Sequence, residues 1–168
     1  MVIGVDPGES TGAFIIDLYP SRIDPPYVIE ASWRAQGPPG EVLASLTTEL
    51  EAARLNGVHA VLAVERFTVM PATSRMTQQS TPQQVIGQLQ MLADEYGATF
   101  LLQAPGDAKK FCPNMKLHQF GFRSTGKMVS RPDANDVNDA ARHAVLALAR
   151  TRATAYEALL RRSIPAQR

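Results

Sequence analysis

The chain has 168 residues, 45% of them hydrophobic and 20% charged, with a net charge of +1. That length suits one domain, and the apolar share is enough for a packed core, which excludes a globally disordered chain. The lone cysteine, Cys112, excludes an internal disulfide framework; with no apolar run of membrane-spanning length and no secretory signal in the opening residues, a soluble cytoplasmic protein is expected.

Along the chain, VIGVD (2–6) reads as a strand, and TGAFIIDL (11–18) as its hairpin partner across the turn PGES (7–10). A third strand is expected within 27–34, after the break at Pro25-Pro26. EVLASLTTELEAARLNG (41–57) carries Val42, Leu43, Leu46, Leu50 and Leu55 at helical spacing and ends on Gly57, a residue suited to a helix C-terminus. HAVLAVE (59–65) is nearly continuous apolar, as in a central parallel strand covered on both faces. A polar stretch at 72–81 precedes a helix from Pro82 to about Tyr96, with Val85, Leu89, Leu92 and Tyr96 on one face. ATFLLQA (98–104) reads as another buried strand, and the basic segment 107–131 as short helices and loop. ANDVNDAARHAVLALA (134–149) is an amphipathic helix that continues or restarts through Tyr156 and Leu160. The order is an antiparallel meander feeding parallel crossovers. An α/β domain is expected over 1–168, with a five-stranded mixed sheet flanked by helices and 151–168 as a basic C-terminal extension.

Charge is unevenly spread. Residues 1–65 hold three arginines against nine acids, and 66–131 hold eight Lys/Arg against Asp94, Glu95 and Asp107. Six basic residues and no acid lie between Lys109 and Arg131, and the tail from Arg150 adds five arginines against Glu157. Such asymmetry points to a polyanion-facing surface in the middle and tail of the chain.

Acids end otherwise apolar strands: Asp6 follows VIGV and Glu65 follows VLAV. Asp136 and Asp139 sit three apart in the late helix, hence on one face. Neighbouring parallel strands bring their C-terminal ends together, where ligands bind. If the first and fourth strands are neighbours, Asp6 and Glu65 converge, and a helix on that edge adds the other two. Singly, each acid has a plainer reading: a turn former at Asp6, a solvated strand exit at Glu65, a helix-start charge at Asp136, with Asp133 as the N-cap. Together they would repel unless a cation neutralised them, and an all-oxygen set selects Mg²⁺ or Mn²⁺.

IGVDPGESTGAFII, LAVERF and DANDVNDAARHAVLAL together resemble the three active-site blocks of RuvC-type Holliday junction resolvases (crossover junction endodeoxyribonucleases), across nearly the whole chain. The resemblance implies a ribonuclease H-like fold. It implies Asp6, Glu65, Asp136 and Asp139 as catalytic ligands of two Mg²⁺ ions, and paired nicks in branched DNA. It also implies a homodimer built around the helix QQVIGQLQMLADEYG, whose Gly87 permits close approach; a branch-migration motor is a further partner the sequence does not address. The first turn is one residue shorter than the family's Asp-Pro-Gly-rich loop. His143, four residues after Asp139, falls on the acidic face and is a candidate auxiliary for positioning water or the scissile phosphate, against the plainer reading of a packed histidine.

For DNA contacts the candidates are Arg66, Phe67, Arg75, Lys109, Lys110, Lys116, Arg123, Lys127 and Arg131. Such cations give phosphate affinity with steep salt dependence. Lys109 or Lys110 resembles a family lysine that serves the active site shortly after the fifth strand. Phe67 is a candidate for stacking on an unpaired base or, equally, a core residue. Competing functions are a same-fold nuclease with broader flap, fork or RNA specificity, and a non-catalytic DNA-binding module. An actin-like phosphate loop is a third, though that fold needs a much longer chain.

Overall fold

The computed structural model describes residues 1–67, 80–124 and 135–163. Eleven elements follow in order: β1 (Val2–Asp6), β2 (Thr11–Pro20), β3 (Tyr27–Gly37), α1 (Pro39–Leu55), β4 (Val61–Glu65), α2 (Ser80–Tyr96), β5 (Thr99–Gln103), α3 (Pro105–Phe111), α4 (Asn114–Gln119), α5 (Asn135–Thr151) and α6 (Ala153–Ser163). The sheet order is β3-β2-β1-β4-β5, with β1 antiparallel to β2 and parallel to β4. This is the expected meander followed by parallel crossovers, and the first and fourth strands are indeed neighbours.

Strand alternation divides the core in two. Ile3, Val5, Ala13, Ile15, Leu62 and Val64 face α1 and α2. Val2, Phe14, Ile16, Val61 and Ala63 face α5, joined by Leu117, Phe122, Ala155 and Leu159 from the α4 and α6 side. By the same period of two, Asp6, Glu65 and Gln103, the last residues of three adjacent strands, all fall on the α5 face.

Helix α5 lies unusually close to the sheet because β1 and β2 each present a glycine beneath it. A Cβ on Gly4 would stand 1.9 Å from the Ala140 carbonyl oxygen, and one on Gly12 would stand 2.3 Å from the Asp136 backbone. The helix answers with small residues: Ala140, Ala141, Ala144 and Ala147 are all fully buried.

One expectation is corrected. ATFLLQA is an edge strand rather than a buried one: among the described residues β5 pairs only with β4, and Leu102 is 49% exposed. Its apolar composition reflects contact with helices on its two faces, not a central position. Two arginines of the basic tail are engaged by the rest of the domain. α6 packs Ala155, Ala158 and Leu159 into the core, while Arg161 pairs with Asp24 at 3.0 Å and Arg162 donates to the Ile29 carbonyl at 2.6 Å. Among the described residues no helix is long and apolar enough to cross a membrane.

Candidate active site

Register builds the site. Gln36 lies opposite Gly12, and Gly12 opposite Asp6. On the other side β4 continues the parallel pairing to Glu65, which lies opposite Gln103. One transverse row therefore crosses all five strands, with two carboxylates in its middle and a glutamine at each end. Gln36 reaches the α5 face because of a register shift in β3 between the partners of Ile15 and Ile16, which leaves Ser32 as an extra residue. Without that bulge, alternation from Ile29 and Ala31 would turn Gln36 to the other face; bulges beside functional sites commonly re-aim a side chain in this way.

Helix α5 crosses the row diagonally and adds four groups. Gln36 Nε2 donates to Asp136 Oδ2 at 2.8 Å and to Ser10 Oγ at 3.1 Å, tying the helix start to β3 and the first turn. That turn is closed by Thr11, whose hydroxyl donates to the Gly8 carbonyl at 2.9 Å. Asp139 is held by two cations, Lys109 Nζ at 3.0 Å and the Arg142 guanidinium. Arg142 is itself buried and also reaches the Cys112 carbonyl, at 3.2 Å, and Asn114 Oδ1. His143 lies between Glu65 Oε2, at 2.9 Å, and Gln103 Oε1, at 2.8 Å. The Arg66 N–H donates to the Gln103 carbonyl at 2.7 Å and pins the strand end that carries Glu65.

Asp6 sits at the electrostatic centre. Its burial, and then the charges of Glu65, Asp139 and Asp136, push its carboxyl up to about 8 from 3.8, against a downward pull from Lys109. The hydrogen bond to Asp139 in turn holds the Lys109 ammonium above its ordinary range. The other three predicted acids are thus each close enough to act on Asp6. Among the described residues, however, no three His, Cys, Asp or Glu side chains are arranged to hold a metal ion. The donor chemistry fits a hard divalent cation: three carboxylates act on a fourth, whose charged form is disfavoured first by burial and then by those neighbours. Asp139 is the member whose oxygens are already taken by cations.

The DNA-contact candidates separate. Lys109 is the lysine at the site, and its side chain is 54% exposed. Lys110 instead lines a shallow groove with Asp107, Phe111, Leu146 and Arg150. Lys116 is spoken for: its Nζ lies 4.3 Å from the Phe111 ring centre and 5.3 Å from that of Tyr156, and it donates to the Phe111 carbonyl. Arg66 and Arg123 are exposed and Phe67 is half-buried. Arg75, Lys127, Arg131 and the N-cap candidate Asp133 lie outside the described residues. Sequence reasoning missed Gln36, Gln103 and Arg142. Gln103 had a usable signal, since it ends an apolar run just as Glu65 does; Gln36 had none without the bulge.

No protein-family model matches the chain, and no curated protein matches it. Solved structures do. Thermus thermophilus RuvC in complex with Holliday junction substrate is 17% identical, with 90% of this chain and 96% of that one covered and a TM-score of 0.58. A second Thermus thermophilus RuvC structure gives 17% identity, coverage of 89% and 95%, and a TM-score of 0.54. With nearly end-to-end correspondence, the chain shares the fold of these structures, a five-stranded mixed sheet flanked by helices of ribonuclease H-like type.

Proposed function

We propose that this protein is a divalent-metal-dependent endonuclease that resolves four-way DNA junctions by paired nicks. The observation that carries the reading is the convergence of Asp6, Glu65, Asp136 and Asp139, with the central carboxyl pushed up to about 8 mainly by burial and by the other three. Asp6, Glu65 and Asp136 would hold the metal first, with Asp139 completing the set once Arg142 and Lys109 yield its oxygens. Two Mg²⁺ ions, with Mn²⁺ as a substitute, would supply charge for activating water and for the departing oxygen. In the reaction the water oxygen bonds to phosphorus, the bond from phosphorus to the 3′ oxygen breaks, and that oxygen takes a proton. The products are a 5′-phosphate and a 3′-hydroxyl.

The remaining groups position and neutralise. Gln36, itself steadied by Ser10, holds Asp136 without adding charge. Lys109, half-exposed beside Asp139, presents its ammonium to a phosphate at the rim of the site. A homodimer around α2 would match the twofold symmetry of the junction; α2 carries an exposed Met91 that the monomer leaves uncovered. The fold similarity to an enzyme captured on junction DNA supports this substrate class.

The test is a nuclease panel with four-way junctions, forks, flaps and RNA duplexes, run with Mg²⁺ and with Mn²⁺. Symmetric paired nicks confined to the junction are expected. Equal cutting of flaps, or no cutting of any substrate, overturns the reading. Within the same assay, Lys109→Met should slow nicking about 10–100-fold, a loss in the range of a removed charge-stabilising donor or somewhat below it. Lys116→Met should leave junction affinity and its salt dependence unchanged, yet cost about 1 kcal/mol of stability from the lost cation–π contacts. A fall in salt slope by about one on removing Lys116 would instead mark it as a phosphate contact.

A further inference from the structure

We infer that His143 is a positioning residue that clamps one oxygen of Glu65, and that Gln103 fixes the imidazole in the orientation this requires. The inference rests on the carboxylate site proposed above and assigns the device that presents one of its members.

Three observations carry it. His143 is 1% exposed and both ring nitrogens are engaged, Nε2 at 2.9 Å from Glu65 Oε2 and Nδ1 at 2.8 Å from Gln103 Oε1. A ring so enclosed has no free nitrogen for a phosphate or a water, so its effect must pass through Glu65. Second, the contact takes only one carboxylate oxygen. Glutamate has three side-chain torsions, and a free one at a strand end spreads over many rotamers; holding Oε2 restricts them and leaves Oε1 for a ligand.

Third, Gln103 is 2% exposed, and its Nε2 has no hydrogen-bond partner among the described residues. Burying an amide N–H without a partner is costly, and the two strand residues before it are leucines. An apolar side chain would serve packing better at that position. What glutamine offers there is a side-chain amide at hydrogen-bonding distance from Nδ1: with Nε2–H donated to Glu65, a neutral ring accepts at Nδ1, and the amide N–H is the group that can donate to it. The relay therefore runs from the end of β5, through α5, to the end of β4, across neighbours in one transverse row of the sheet.

The experiment measures Mn²⁺ binding to the full-length, DNA-free protein by electron paramagnetic resonance, alongside thermal unfolding. Wild type should bind, and Glu65→Gln should bind much more weakly. Gln103→Met should keep or raise the unfolding temperature yet weaken Mn²⁺ binding about 10-fold, in the lower range for partners of metal ligands. His143→Ala should weaken it about 10–100-fold, and millimolar imidazole should restore part of the loss. Opposite movement of stability and affinity, with imidazole rescue, is an outcome that a purely structural histidine does not produce. Wild-type Mn²⁺ affinity in Gln103→Met and in folded His143→Ala overturns the inference alone. If His143→Ala fails to fold, Gln103→Met decides. Equal Mn²⁺ binding by wild type and Glu65→Gln overturns the metal-site reading, and this inference with it.

Discussion

Asp6→Asn is expected to abolish DNA nicking and, at the same time, to make the metal-free protein more stable at pH 8. The carboxyl is half-buried at the end of the central strand with three other carboxylates around it, and it rises to about 8 from 3.8. An acid whose folded pKa is raised binds its proton more tightly folded than unfolded. Its favourable contribution is fully present below about 4 and is lost as pH climbs to about 8. Without metal, wild type should therefore lose stability across that window, whereas the asparagine variant lacks this contribution to the slope. In EDTA at pH 8 the variant should unfold roughly 5 °C higher, for a relieved repulsion on the order of 2 kcal/mol. Mg²⁺ should narrow the gap by stabilising wild type through binding to the folded state. Nicking should fall by more than the roughly 100-fold that outer partners of a metal cost. Equal unfolding temperatures at pH 8, or retained nicking, would contradict the placement of Asp6 at the centre.

Much of this site was legible because a carboxylate ending an apolar run is a conspicuous break in pattern. Asp6 and Glu65 announce themselves after VIGV and VLAV, and Asp136 and Asp139 share a face by helical spacing alone. Strand order turned proximity from a condition into a fact. Several features depend instead on register. Gln36 reaches Asp136 only because one extra residue at Ser32 reverses the alternation of β3, and no composition rule marks that bulge. Lys116 looks like a phosphate ligand by charge, but its aromatic neighbours Phe111 and Tyr156 lie five residues before it and forty after it in the chain. Arg142 reads as an ordinary helix cation until the α3–α4 corner folds over it and leaves Asp139 as its carboxylate partner. Charge counts a residue's sign; they do not reveal whether the fold has already used it.

The second large effect is steric, and it separates the spacing of α5 from the placement of its acids. Gly4→Ala puts a methyl group 1.9 Å from the Ala140 carbonyl oxygen and 2.6 Å from the Ala144 nitrogen. Both obstacles are helix backbone, so no side chain can swing aside; β1 and α5 must part by more than about 1 Å to restore contact distances. That opens the packing between the central strand and the most buried helix, and a loss above about 3 kcal/mol is expected, at the upper end for overpacked cores. Gly12→Ala meets the Asp136 backbone at 2.3 Å, at the first turn of the same helix, where the chain has fewer neighbours to carry with it. Its stability cost should be smaller, about 1–3 kcal/mol. Its effect on nicking should be the more specific one, because the displaced residue carries the carboxylate held by Gln36. A shift of about 1 Å at a positioned group is enough for a loss near 100-fold. Urea denaturation and junction nicking on both variants give the check. Wild-type stability in Gly4→Ala, or full nicking in Gly12→Ala, would mean that α5 does not rest on those two glycines. The expected pattern is that one alanine loosens the whole face, while the other, eight residues along, mainly moves a single acid out of the row.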